Sequence, residues 1–482
     1  MRNINRFILF FLVCFFAAVS AFGTPTNYTY NYDFWLEQVA SPDAYRVSSY
    51  ILGTSLGIGN FNSPQGLFIR GNRIYICDTG NNRVIKLEVR ENGEHVVTAN
   101  VSSVRINGEV SPLKGPTDIF ENRDGNLFIA DTGSHRILVL DNNWNYINAI
   151  HKPEDESLDE STEFLPYKLV VDFADRLFVQ ANNINKGLME FDSRWEFSGY
   201  MGANKVDVNI IDYIWKLFST EEQRKRMELF VPTEYTNVSL DHEGFIYVTN
   251  ATGQTEPVRR LNAMGQDILI RNGYEKPVGD LVFGNAGNIR GPSRFIDIVA
   301  FENDSYACFD RIRGRIFVYD FQGNMLYAFG GYGNREGSFT QPSALEKMGG
   351  SLYALDMGTG ALTRFDLTGY GLLINKAIDE YKAGRYEASA VIWEDVLKMN
   401  GNYDLAYIGI GRAALRQGEY KKAMKYYKLK HYREGYGKAF QLYRKQWTEA
   451  NLWWILLVLG ILIFLPGIIK LTVKTVKEII QA

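Results

Sequence analysis

From Tyr45 to Gly369 short apolar runs alternate with polar positions and are cut by Gly and Asx turns. One unit recurs: a Pro, an apolar strand, a turn, a second strand ending in Asp or Asn, a polar turn, an Arg and a third strand. Its first copies are SPQGLFIRGNRIYICDTGNNRVIKLE (63–88) and GPTDIFENRDGNLFIADTGSHRILVLD (115–141). Later copies start at Pro166, Pro232, Pro292 and Pro342, and with Pro64 and Pro116 they make six, spaced 50 to 66 residues apart. Short alternating segments between turn residues predict antiparallel strands, and six such units predict the blades of a β-propeller. The last copy stops after its third strand, whereas YRVSSYILG (45–53) is a lone strand ahead of the first. It is therefore expected to complete the last blade and leave no open edge.

The patterning changes at both ends. Arg2 and Arg6 precede an apolar run from Phe7 to Val19 and the small residues Val19-Ser20-Ala21, which predicts a secretory signal over 1–21. From Leu372 the period becomes helical, and AGRYEASAVIWEDVLKMN superposes on QGEYKKAMKYYKLK at a shift of 34, pairing Gly384 with Gly418, Tyr386 with Tyr420 and Trp393 with Tyr427. Two helical repeats are expected over 372–445. Leu452 to Ile469 carries no charge, and 18 residues rise about 27 Å, enough to cross a bilayer. Trp447, Trp453 and Trp454 lie at its upstream edge, while Lys470, Lys474 and Lys477 follow it. A transmembrane helix at 452–469 and a cytoplasmic tail at 470–482 are expected, with the domains ahead of them outside.

The signatures DTGNNRV and DTGSHRI resemble NHL-repeat six-bladed propellers, over about two thirds of the chain. That resemblance implies a mainly β propeller over 45–369 with an extracellular recognition or sensor role. The segment LAYIGIGRAALRQGEYKKAMKYY resembles a tetratricopeptide repeat, implying peptide or protein contact, or a rigid spacer.

Composition refines this picture. The formal net charge of −3 hides a split: residues 22–371 hold 32 Lys/Arg against 45 Asp/Glu, and residues 372–451 hold 15 against 9. An acidic propeller facing outward argues against nucleic acid as a partner. With Cys14 in the signal, the mature chain keeps Cys77 and Cys308, read as buried small hydrophobes. The five histidines, His95, His135, His151, His242 and His431, show no zinc-site spacing. His135 and His242 read as turn residues. No Ser nucleophile motif or phosphate loop is present, so no catalytic residue is assigned.

The candidate site is the ring of polar residues just after each repeat Pro: Gln65, Asp118, Lys168, Asn237, Asp297 and Ser343, allowing one-residue slips in the degenerate blades. They are expected to crown the inner strands at one mouth of the channel. Asp118, Asn237 and Asp297 offer hard oxygens suited to Ca²⁺ or another divalent cation. The three imitate the metal set implied by resemblance to gluconolactonase-type lactonases, although no Glu joins the ring and Lys168 opposes a cation. Asp78 with Arg83, Asp131 with Arg136 and Asp310 with Arg315 share one spacing and are expected to hold turns by pairing within each blade. An insertion over 206–231, rich in apolar residues around Trp215, predicts a helical excursion that lids the channel, meets a partner or packs on the propeller side. The acidic run 153–164 is read as a solvated loop.

These readings lead to a membrane-anchored, extracytoplasmic binding or scaffold module serving protein partners of an envelope or transport complex. The alternative is a metal-dependent lactonase working at the channel mouth.

Overall fold

The computed structural model describes residues 29–33, 35, 37–155, 158, 161–202, 234–250, 256–273, 276–281 and 291–481. The expected signal at 1–21, and the insertion at 206–231 with Trp215, lie outside them.

Six antiparallel sheets follow one another along the chain. Blade 1 comprises Gly66–Arg70, Arg73–Asp78, Arg83–Val89 and His95–Val101; blade 2 comprises Pro116–Glu121, Leu127–Asp131, Arg136–Leu140 and Tyr146–Ile150. Blade 3 runs from Leu165–Val171 to Phe197–Met201, and blade 4 is described through Tyr235–Leu240, Ile246–Asn250 and Val258–Leu261. Blade 5 starts at Phe295–Ala300 and blade 6 at Pro342–Met348. The first strand of each blade touches the first strand of the next, and blade 6 returns to blade 1, so the inner strands close a six-membered ring. The protein is a six-bladed β-propeller.

The lone strand Tyr45–Leu52 completes blade 6, pairing Leu52 with Ala361 and Tyr45 with Leu367. Its hydrogen bonds join the start of the propeller to its end. The middle strands explain why several repeats read as unbroken apolar runs. Leu127–Asp131 and Tyr306–Asp310 are buried throughout, because neighbouring blades cover both of their faces. Outer strands such as Tyr146–Ile150 keep solvent-facing positions. The core is accordingly a set of layers between blades: Phe128, Leu169, Phe178 and Val248 fill one, and Ile51, Ile74, Leu87 and Leu355 another.

In blades 1, 2, 5 and 6 the Asp that ends the second strand is a latch. Asp78 accepts a hydrogen bond from the Asn62 amide at 2.7 Å, Asp131 from Lys114 at 2.7 Å, Asp310 from Arg294 at 2.8 Å and Asp356 from Gln341 at 2.7 Å. Each ties the incoming loop to its own blade, with bonds of about 1.5–3 kcal/mol because the acceptor is charged. In blades 1 and 2 the expected Arg completes the device: Arg83 Nε lies 2.7 Å from Asp78 and Arg136 Nε 2.8 Å from Asp131. Asn82 and His135 sit in the left-handed region at φ 53° and 56°, so His135 is the turn residue that its position suggests. Blade 5 departs from the expectation. Arg315 turns away from Asp310 and pairs with Asp280, a loop carboxylate that also accepts from the hydroxyls of Tyr30 (2.7 Å) and Tyr32. The cause is a hairpin, Tyr30–Tyr32 with Gln38–Ala40, which adds two strands to the outer edge of blade 5 and brings those tyrosines to Asp280.

The chain clusters into two compact units, the first reaching Asn375 and the second continuing from Lys376. Six helices follow the last strand: α1 (Gly369–Lys382), α2 (Tyr386–Met399), α3 (Asp404–Arg416), α4 (Tyr420–Leu429), α5 (Arg433–Ala450) and α6 (Leu452–Gln481). Gly384 and Gly418, matched by the 34-residue shift, both adopt left-handed φ near 80° at the turns into α2 and α4. Trp393 and Tyr427, also matched, are both buried, the first against Gly409 and the second against Gly411 of α3. Any larger residue at those glycines would collide with the ring. α6 is long and apolar enough to cross a membrane, and it continues through Lys470 to Gln481 where the sequence suggested a separate tail.

Candidate functional site

Along each inner strand, alternate side chains face the channel. Which residues share a level is set by a β-bulge. In blades 2 to 6 the register skips one residue, so that Asp118 pairs with Ala130, Lys168 with Gln180, Asn237 with Thr249, Asp297 with Phe309 and Ala344 with Leu355. The skipped residue faces the next blade: the hydroxyl of Thr117 donates to Tyr167 O and that of Thr236 to Phe295 O, both at 3.0 Å. In blade 1 the equivalent position is Gly66, opposite Cys77. The level thus holds Gly66, Asp118, Lys168, Asn237, Asp297 and Ala344.

Four of the six expected ring residues therefore converge, and two do not. Gln65 and Ser343 stand one residue earlier, level with Thr117 and Thr236. A count of two from the Pro selects Gly66 and Ala344 instead.

The four polar residues are at most 6% exposed and bind one another. Lys168 Nζ lies 3.5 Å from Asp118 Oδ1, and Asp118 Oδ2 accepts the Leu169 amide at 3.0 Å. Asp297 accepts the Leu345 and Ile298 amides, both at 2.7 Å, and an N–H of Asn237. Each carboxylate so reaches from its own blade to the next. Burial pushes both carboxyls up, against the pull of Lys168, and Asp297 reaches about 7. Burial lowers Lys168, but Asp118 and Asp297 outweigh it and the ammonium is held above its ordinary range.

This polar level separates two cavities. One, of about 290 Å³, extends past it along the inner strands to Phe120, Phe173, His242 and Glu346. The other, of about 410 Å³, opens where those strands begin and is lined by Gln65, Tyr167, Gln180, Asn182, Arg311 and Ser343 among others. Lys168 lines both. Glu346 escaped the sequence reading although it lies two residues past Ala344, on the same strand face. Burial, then the charge of Asp297, pushes its carboxyl up to about 8. Gln180 escaped because it belongs to a second strand and reaches the channel only opposite Lys168.

At the three oxygen donors expected to hold a cation, charge and hydrogen bonds are already in place. Lys168 supplies positive charge beside Asp118, and Asn237 presents its N–H to Asp297. Cys77 and Cys308 are unpaired and fully buried, with thiol pKa values raised by that burial.

No protein-family model matches the chain, and no curated protein matches it. Among solved structures it is similar to a streptogramin B lyase (11% identity, TM-score 0.41, covering 68% of this chain and all of that one). A virginiamycin B lyase from Staphylococcus aureus gives 11% identity and a TM-score of 0.40, covering 67% of this chain and all of the other. An extracellular domain assigned to a hybrid two component system of B. thetaiotaomicron gives 12% and 0.38, covering 68% of this chain and 43% of the other. Likenesses at this level carry no inference about activity or ligand, and the propeller assignment rests on strand order and on the closed ring of inner strands.

Proposed function

We propose that this chain is a membrane-anchored, extracytoplasmic binding and scaffold module. Its propeller would recognise a ligand or protein partner of an envelope or transport complex through the central channel. One observation carries the reading: side chains from four different blades meet in a buried, mutually bonded polar level with a cavity on either side. Buried polar groups converging from separate elements on a preformed cavity are the usual build of a binding site. The NHL-like signatures of blades 1 and 2 agree with recognition, and the tetratricopeptide-like pairing of Trp393 and Tyr427 with glycines of α3 agrees with a helical contact surface.

The anchor in this reading is α6, with Trp453 and Trp454 exposed at its start and Lys470, Lys474 and Lys477 towards its end, a distribution that supports a cytoplasmic C-terminal end. Binding is favoured over lactone hydrolysis because Lys168 occupies the charge position that a catalytic metal would need. To test this, membranes carrying the full chain are cross-linked and its partners identified, while purified protein is assayed on lactones with Ca²⁺, Mn²⁺ and Zn²⁺. Recovery of specific partners that depend on Asp297 is the expected result. Metal-dependent turnover lost in Asp297→Ala, with no partner recovered, would overturn the reading.

A further inference from the structure

The larger cavity carries a more specific reading, which rests on the proposal that the channel is a ligand site. Gln180 is 4% exposed and lines this cavity. Its Nε2 donates to Asn182 Oδ1 at 3.2 Å, but its Oε1 is buried with no hydrogen-bond partner. A buried carbonyl oxygen left without a donor costs about 1–3 kcal/mol, so such an atom persists where something else satisfies it. Directly across the strand pair stands Lys168, likewise 4% exposed, whose ammonium has three N–H groups and a contact to Asp118 at the long distance of 3.5 Å. Cross-strand partners project from the same side of a sheet, so an acceptor lacking a donor and a donor with N–H groups to spare share one cavity wall.

We infer that this cavity binds a neutral, hydroxyl-rich ligand of the saccharide or polyol class, anchored between Gln180 Oε1 and Lys168 Nζ. A hydroxyl fits this pair because one oxygen both donates, here to Gln180, and accepts, here from Lys168. Charge sets the neutrality. The lining carries both signs, Lys168 and Arg311 against Glu234, with Asp118 already paired to Lys168, so an ion of either sign meets a like charge as well as an unlike one. Tyr167 adds aromatic surface for the C–H face of a sugar ring, and Arg311 and Ser343 extend the polar wall. At about 410 Å³ the cavity falls within the range of small-ligand sites.

The test uses the full chain in nanodiscs and measures binding of glucose, galactose, N-acetylglucosamine and maltose by calorimetry and saturation-transfer NMR. Sorbitol is the free-polyol probe, and glucosamine and gluconate are the charged ones. At least one neutral saccharide or sorbitol should bind, and the two arms tell a ring-shaped ligand from an open polyol. Gln180→Leu should weaken that binding about tenfold, the loss of one buried hydrogen bond. It should also leave the melting temperature unchanged or higher, since it deletes an unsatisfied oxygen. Tighter binding of glucosamine or gluconate, or unchanged affinity in Gln180→Leu, would overturn the inference while leaving the channel as a ligand site. If no probe of any charge binds, and partner capture is indifferent to both Gln180→Leu and Lys168→Met, the channel reading fails as well.

Discussion

Lys168 and Asp118 form a buried ion pair across adjacent blades, Nζ to Oδ1 3.5 Å, in the polar level of the inner strands. Asp297 adds a second negative charge to the field of the same ammonium. One cation thus offsets two carboxylates drawn from blades 2 and 5, and the ring is held by charge and hydrogen bonds.

Removing that cation leaves two buried carboxylates uncompensated. Lys168→Met should therefore destabilise the propeller by ~3–5 kcal/mol, the usual cost of breaking one side of a buried pair. Asp118→Asn in the same chain should restore part of the loss, since it removes one of the stranded charges. Thermal melting of the two single variants and the double variant gives the coupling, and simple additivity would show that the pair is not a unit.

Stability should also fall as pH rises through neutrality. Burial raises Asp297 from 3.8 to about 7 and Glu346 from 4.5 to about 8, so the folded state keeps protons that the unfolded chain has already released. The contribution is fully present below the unfolded values and is lost as pH climbs through the folded ones. Between pH 5 and 9 the wild type should lose more melting temperature than Glu346→Gln, which imitates the protonated form. Parallel curves for the two proteins would refute the assignment.

The ring needs Gly66 for steric reasons. A Cβ there would stand 2.6 Å from Thr117 O and 2.9 Å from the Asp118 Cα, both backbone atoms that cannot swing aside. Gly66→Ala should push blade 2 outward at the ring and cost about 1–3 kcal/mol, as overpacking does. Gln65→Ala, one residue earlier and half-exposed, should leave the melting temperature nearly unchanged. Equal losses in the two variants would mean that the level has been assigned to the wrong residues.

Much of the architecture is a property of the sequence alone. Alternating strands between Gly and Asx turns are local signals, so six units and the lone strand at Tyr45–Leu52 were legible without any tertiary contact. The latches at Asp78 and Asp131 were legible too, because each acts with an Arg five residues on. The helical pairing of Gly384 with Gly418 follows from one repeat spacing. What the sequence could not decide was everything that depends on a bulge or on a distant segment. Pairing register turns on single residues: a skipped residue in blade 6 put Ala344 into the ring in place of Ser343, and the unbroken pairing of Gly66 with Cys77 in blade 1 put Gly66 there in place of Gln65. Arg315 left its local partner because a hairpin from the far N-terminal side delivered Tyr30 and Tyr32 to Asp280. Gln180 and Glu346 became channel residues only when six blades closed around one axis. Local propensity is written in neighbours along the chain; a binding site is written in neighbours across it, and those exist only once the ring has closed.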